Sequence, residues 1–298
     1  MHVIHKDDHV LSMSPEHPAK AIAKSGERLL VHTMDCFSDS IVDESQLFSS
    51  VGWECINPAT GPIAIEGAEP GDTLKVEVLS IKVGSVGTMT SHPDFGALPG
   101  TVEERTRKIK VINEVIQFDD RYKFPCRPMI GVIGTAPQVD TVPTGEPREH
   151  GGNMDTKEIV AGSTLYLPVN VEGANLALGD VHAIMGDGEV AVCGLEIAAE
   201  VEIEVSLIKG QPLPLPFLVS GDSAYTIASD RNLHTAVQES VRMMRDWISS
   251  NSTLDPTDTL LLLSLRGDTQ ISQIVDPQMT ARFRVPLDLI GAYNIELP

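Results

Sequence analysis

The segment AEVEIEVSLI, residues 199–208, constrains the fold more than any other stretch. Apolar and polar residues alternate strictly, placing Val201, Ile203, Val205 and Leu207 on one face and Glu200, Glu202 and Glu204 on the other. That pattern specifies a strand with one wet face. TLKVEVLSIKV, from Thr73, alternates through Leu74, Val76 and Val78, then shifts phase at Leu79 and Ile81 as a β-bulge would impose; the turn signal EPGD precedes it. STLYLPVNV and RKIKVI are further strand candidates, and Gly, Pro, Asn and Asp punctuate the short segments. IEGAEPGDTLKVEV and VEGANLALGDVHAI look alike, as a recurrent hairpin device or a faint internal duplication.

The pattern changes after the Pro-rich QPLPLPF, residues 211–217. NLHTAVQESVRMMRDWI spaces Leu233, Val237, Val241, Met244 and Ile248 three and four apart, the mark of an amphipathic helix. DPTDTLLLLSL offers a second helix with Asp255 as N-cap and Pro256 at its first position. The expected fold is therefore mainly β, sandwich- or barrel-like with jelly-roll-type hairpins, over residues 1–210. An α+β C-terminal subdomain is expected over 211–298.

Acidic residues outnumber basic ones 42 to 22, a formal net charge of −20, which repels phosphate backbones and anionic lipid headgroups. Neither nucleic acid nor a membrane surface is an expected partner. The longest apolar run, around Leu260 to Leu263, is far short of the roughly 20 residues a membrane span needs. MHVIHKDDHV lacks a basic region followed by an apolar core, so the expected compartment is the cytoplasm. Cys36, Cys55, Cys126 and Cys193 stand singly, with no CxxC spacing.

Chemistry concentrates in GDVHAIMGDGEVAVCGLEI, residues 179–197, which reads as buried strands joined by a tight turn yet carries four carboxylates and a histidine. Residues two apart on a strand share a face, so Asp180 and His182 form a compact metal platform, with Val181 and Ala183 opposite. Zinc accepts mixed nitrogen and oxygen ligands and, in catalytic sites, keeps one position for water. GDG at 186–188 reads as a hairpin turn, leaving Asp187 and Glu189 as turn and rim residues. Glu196 follows an apolar strand, where a carboxylate is costly unless paired or bound to a cation, and is a candidate third ligand or general base. In REHGGNMDT, His150 and Asp155 flank a Gly-Gly-Asn loop whose amides are free to approach a carbonyl oxygen. LLVHTMDCFSD delivers His32 and Asp35 into a polar loop. Carboxylates and histidines without a GxSxG elbow or a phosphate-cradling loop point to metal-assisted hydrolysis. A thiol mechanism through Cys36 or Cys193, and a non-catalytic β protein braced by calcium, are the alternatives.

Several blocks resemble the acetamidase/formamidase family, in its order: HTMDCFSDSI, NPATGPIAIEGAEPGDTLKVEV, GVIGTAP, HGGNMDTKEIVAGSTLYLPVNVEGA and LGDVHAIMGDGEV. The resemblance spans roughly residues 30 to 210 and is similar to the bacterial acetamidase-like branch. It implies hydrolysis of short amides to ammonia and the carboxylic acid, a mainly β architecture, a divalent metal and a homo-oligomer, taken as a dimer. The family's Thr-x-Asp element falls on Thr33 and Asp35, its Gly-Gly-Asn-x-Asp element on Gly151, Gly152, Asn153 and Asp155, and its Gly-Asp-x-His element on Gly179, Asp180 and His182. Ligand chemistry then suggests zinc, with calcium as the alternative, held by Asp35, Asp180, His182 and either His150 or Glu196. Glu196 or Asp155 would serve as general base, and Gly151, Gly152, Asn153 and Met154 would contact a small-molecule amide.

Overall fold

The computed structural model describes residues 2–298. Its organising element is the Ala199–Ile208 strand, which pairs antiparallel with Glu27–Thr33 on one side and Thr73–Val83 on the other. Val201, Ile203 and Val205 are fully buried and Glu200 is exposed, so the alternation read from the sequence becomes one dry and one wet face. The expected bulge is present. Ser80 pairs with Glu202 and Val78 with Ile203, which leaves Leu79 as the extra residue on its strand, turned outward.

These strands belong to a nine-stranded sheet that runs from His2–Ile4 through Thr164–Pro168 to the C-terminal strands Phe217–Ser220, Ser223–Asp230, Met279–Pro286 and Asp268–Gln273. Facing it is a second sheet in which Leu176–His182 lies between Met129–Gly134 and Ala59–Ile65, with Gly151–Asn153 at one edge. Leu29, Val31, Leu74, Val76, Leu165, Val201 and Ile203 of the first sheet pack against Ile63, Ile65, Ile130, Ile133, Leu176, Leu178 and Val181 of the second in one continuous core. Two inner faces interdigitating in this way make a β-sandwich, and the mainly β expectation holds. A smaller sheet, Val86–Ser91, Arg105–Ile112, Val115–Gln117 and Lys123–Pro125, packs Ile109, Val111 and Ile116 on Ala183, Leu195 and Ile197.

Helix α1 (Leu233–Ser250) begins where Asn232 accepts from the amides of His234 and Thr235, and α2 (Pro256–Arg266) where Asp255 accepts from Thr257 and Asp258. The most deeply buried stripe of α1 is Ala236, Ser240, Met243, Met244 and Ile248, with Val237 and Val241 half-buried at its edge. It covers Phe217, Phe283 and Val285 of the large sheet. Among the described residues no helix is long and apolar enough to cross a membrane.

Two expectations change. The break at 210/211 is not a break in the sheet, because Thr164–Pro168 pairs with Thr73–Val83 on one edge and with Phe217–Ser220 on the other. Proline and polar residues in the connector signal a loop, but hydrogen bonding across it makes one sheet. Residues 183–198, read as strands about a hairpin, have no regular strand; Glu196 makes only isolated bridges, to Thr88 and His182. The strands on the two sides of the connector thus share one sheet. A chain ending at residue 210 is expected to lack a cooperative unfolding transition by circular dichroism, since Tyr166 and Leu165 lose the Phe217–Ser220 strand that covers them; a fragment melting like the full chain would contradict this.

Candidate metal centre

The Leu176–His182 strand is buried at every residue and carries Asp180 and His182 to the end of the sandwich. His182 Nε2 lies 3.2 Å from Glu196 Oε1, 3.5 Å from Asp180 Oδ2 and 3.7 Å from Asp155 Oδ1. Four strongly polar side chains therefore converge in a region from which solvent is excluded. They do not satisfy one another. Both His182 ring nitrogens, both Asp155 oxygens, Asp180 Oδ1 and Glu196 Oε2 lack a hydrogen-bond partner. Unpartnered buried polar atoms cost about 1–3 kcal/mol each, more when charged, a cost that protons on the carboxylates or a bound cation would offset.

Among the described residues two groups are compact enough to hold a cation: Asp155, His182 and Glu189, and Cys36, Asp180 and Glu196, with ligand atoms in each group within 4.8 Å of one another. Glu189, read from the sequence as a rim residue, is buried and belongs to the first group. The GDG turn folds back over the site and carries Glu189 inward. Asp276, which sequence reasoning missed entirely, accepts from Asn153 Nδ2 at 2.9 Å and borders Asp155. The only trace of Glu189 in the sequence was its place among carboxylates in an otherwise apolar stretch; Asp276 left none.

Backbone strain marks the same residues. Asp155, Asp180 and Glu189 all have positive φ, at 42°, 51° and 49°. Side-chain-bearing residues rarely adopt that conformation, and it persists where the surroundings enforce it, commonly at functional sites. Space for the cluster comes from missing side chains. A Cβ on Gly131, opposite Asp180, would lie 2.5 Å from Asp155 Oδ1 and 2.7 Å from Asp180 Oδ2, and one on Gly194 would lie 2.6 Å from His182 Nδ1.

The electrostatics follow from burial. Asp155 is pushed up to about 7, first by desolvation and then by the charge of Asp180, with His182 opposing. Glu196 is pushed up to about 8 by desolvation, with His182 opposing and Asp180 adding. Desolvation also raises Glu189 and Asp276 well above the carboxylate range, and Asp155 adds to both. Burial disfavours a charged His182, yet Glu196 and Asp180 hold its pKa well above the usual value. The Cys36 thiol is raised well above normal and that of Cys193 to about 12, burial leading in both.

The remaining sequence candidates fall elsewhere. Asp35 is in neither compact group; its Oδ1 accepts from the amides of Phe37 and Asp39, closing a turn, and burial raises its pKa to about 6. His150 is also in neither group. It is buried with both ring nitrogens unpartnered, and desolvation followed by the nearby Arg148 charge lowers its pKa to about 4. Gly151 and Gly152 form a strand rather than a free loop: they pair with Gly134 and Ile133, and the Gly151 amide donates to Arg148 O. Their glycine character answers positive φ and close backbone approach, since Cβ atoms there would sit 2.4 Å from Ile133 O and 2.6 Å from Glu146 O. Met154 packs in the main core.

A cavity of about 40 Å³ reaches the cluster. Asp180, Glu189, Glu196, Asn153 and Asp276 form its polar side, and Phe37, Phe48, Trp53, Ile56 and Val192 form its apolar side. Trp53, half exposed at the mouth, meets Phe48 and Phe95 edge-on with ring centroids 5.0 and 4.9 Å apart.

The profile described as the acetamidase/formamidase family matches residues 8–146 and 138–291. The chain is similar to the crystal structure of an acetamidase from Bacillus halodurans, with 40% identity and a TM-score of 0.97 over 98% of this chain and 100% of that one. It is similar also to a predicted acetamidase/formamidase from Thermoanaerobacter tengcongensis, at 41% identity and a TM-score of 0.96 over 99% of both chains. The formamidase of Methylophilus methylotrophus is 28% identical over 65% of this chain; the chain spans 63% of that relative's length.

A pH dependence of stability follows from the raised carboxylates. Without a cation, the folded state retains protons that the unfolded chain has released above about pH 4 to 4.5, so stability falls as pH rises through about 7 to 8, the pKa values of Asp155 and Glu196. The raised His182 acts in the same sense. Denaturant titrations of chelator-treated protein at pH 5, 7 and 9 are expected to show declining stability, and millimolar zinc is expected to flatten the decline; rising stability across that range would contradict the site's electrostatics.

Proposed function

This chain belongs to the acetamidase/formamidase family, and on that premise we propose that it hydrolyses short aliphatic amides, formamide and acetamide foremost, to ammonia and the carboxylic acid in a metal-dependent reaction. The observation that carries the reading is the set of buried, unpartnered oxygens of Asp155, Asp180 and Glu196 around His182. Asp155, His182 and Glu189 would hold the ion. A mixed imidazole and carboxylate set suits zinc, whereas calcium prefers six to eight oxygens. When bound, such an ion supplies Lewis acidity toward a carbonyl oxygen and acidity to a coordinated water.

The chain's own groups do the rest. Glu196, whose proton affinity burial brings near neutrality, accepts the proton of the attacking water as the new C–O bond forms. It returns that proton to the departing nitrogen as the C–N bond breaks, so the carboxylate is regenerated. Asn153 presents an unpartnered Oδ1 while its Nδ2 is fixed by Asp276, which suits it to accept an N–H of the bound amide. The cavity admits roughly three water-sized centres at about 10–15 Å³ each, a match for a small amide. A thiol mechanism lacks an activated nucleophile, since burial keeps Cys36 and Cys193 protonated and the Cys193 thiol donates to Thr90 O.

Ammonia release from formamide, acetamide and propionamide, measured beside metal analysis and with or without chelator, tests this reading. Chelation is expected to abolish turnover and zinc to restore it; Glu196→Gln is expected to lose about 10²–10⁴-fold in kcat while keeping its metal. Metal retained without turnover of any amide would instead identify a structural brace, and full activity in metal-free His182→Ala would end the proposal. Ile56 walls the apolar side, so Ile56→Ala is expected to raise the kcat/KM of propionamide relative to acetamide by about 10-fold, the scale of a methylene in a fitted pocket.

A further inference from the structure

Arg282 is fully buried on the Met279–Pro286 strand, far along the chain from every residue assigned above except Asp276. Its guanidinium reaches two acidic loops. One nitrogen donates to Asp187 at 2.9 Å and to Glu158 Oε1 at 3.4 Å, and the other donates to Ser272 Oγ at 3.1 Å. Asp187 lies two residues before Glu189, and Glu158 three residues after Asp155, so one cation joins the segments that carry both carboxylates of the first compact group.

Independent contacts tighten the same junction. Ser272 Oγ is 2.8 Å from Thr156 Oγ1. The Gly188 amide donates to Ser272 O at 2.8 Å, and Ile274 N donates back to Gly188 O. Lys157 Nζ also meets Asp187 at 2.9 Å, and Arg127 pairs with Glu158. Gln273, fully buried, accepts the amides of Val275 and Asp276 and so fixes the loop that presents Asp276.

We propose that Arg282 is a positioning residue for the metal centre: by bridging Asp187 and Glu158 it sets the separation of Glu189 from Asp155, and the C-terminal hairpin thereby completes the site. The assignment of that centre rests on the proposed function, but the latch itself rests on contacts away from the cavity. A lysine in its place keeps the charge but lacks the planar second nitrogen that donates to Ser272 Oγ while the first bridges the two carboxylates.

Arg282→Lys and Asp187→Asn test it, with Arg284→Gln, a surface arginine on the same strand paired to Asp268, as control. Zinc affinity by chelator competition and kcat on formamide are each expected to fall about 10- to 100-fold, the scale of outer-shell changes at metal sites, with KM little moved and Arg284→Gln unaffected. Hydrogen exchange on the zinc-free proteins is expected to show 153–158 and 186–189 losing protection together in Asp187→Asn. If the wild-type protein binds no zinc and releases no ammonia, the functional reading fails, and exchange alone decides the latch. Wild-type zinc affinity in both variants, or loss of protection confined to 186–189, overturns the proposal. Should Arg282→Lys fail to fold, Asp187→Asn, altering a side chain one-third exposed, carries the decision.

Discussion

The structure depends on an electrostatic imbalance held in place by hydrophobic packing. Asp155, Asp180, Glu189 and Glu196 surround a single imidazole at the end of a sandwich whose core is Leu, Ile and Val. Four acids with one base in a dry interior would repel one another and be destabilising as anions. The sandwich supplies the opposing stabilisation through its apolar core, and the cluster answers its own imbalance by raised proton affinity or by taking up a cation. Both responses make the site chemically useful. A group that binds a proton near neutrality can also release it there.

Sheet geometry makes the cluster possible. Strand periodicity points Asp180 and His182 the same way, while the left-handed backbone at Asp180 turns its carboxylate toward the space that Gly131 leaves open across the pair of strands. The irregular stretch 183–198 forms no strand, and it brings both Glu189 and Glu196 to His182. Regular strands alone could not bring residues from one short segment around a single nitrogen.

Much of this was legible in the sequence wherever a local period carried it. The alternation at 199–208, the bulge at Leu79, the apolar spacing of α1, the cap at Asp255, and the shared face of Asp180 and His182 all follow from neighbours in the chain. Apolar surroundings likewise identified Glu196 as a carboxylate needing a partner. Tertiary placement was not legible. Asp35 and His150 sit among suggestive neighbours, yet Asp35 closes a turn and His150, buried with its ring nitrogens unpartnered, belongs to neither compact group. Glu189 looked like a rim residue because a turn signal gives no direction of fold-back, and Asp276 and Arg282 enter through contacts spanning more than 90 residues of chain. The Gly-Gly pair was correctly singled out for conformation but served close strand approach rather than an open loop.

The contribution of the Asp268–Pro286 hairpin has a consequence for biosynthesis. Asp276 and Arg282 leave the ribosome after every other residue of the cluster, so on the nascent chain the carboxylates of the earlier segments cannot yet be gathered at their final spacing. Domains fold as units during synthesis, and here the unit closes only when its late-translated hairpin docks. The acidic loops at 155–158 and 187–189 therefore stay unlinked until Arg282, among the last residues made, reaches Glu158 and Asp187.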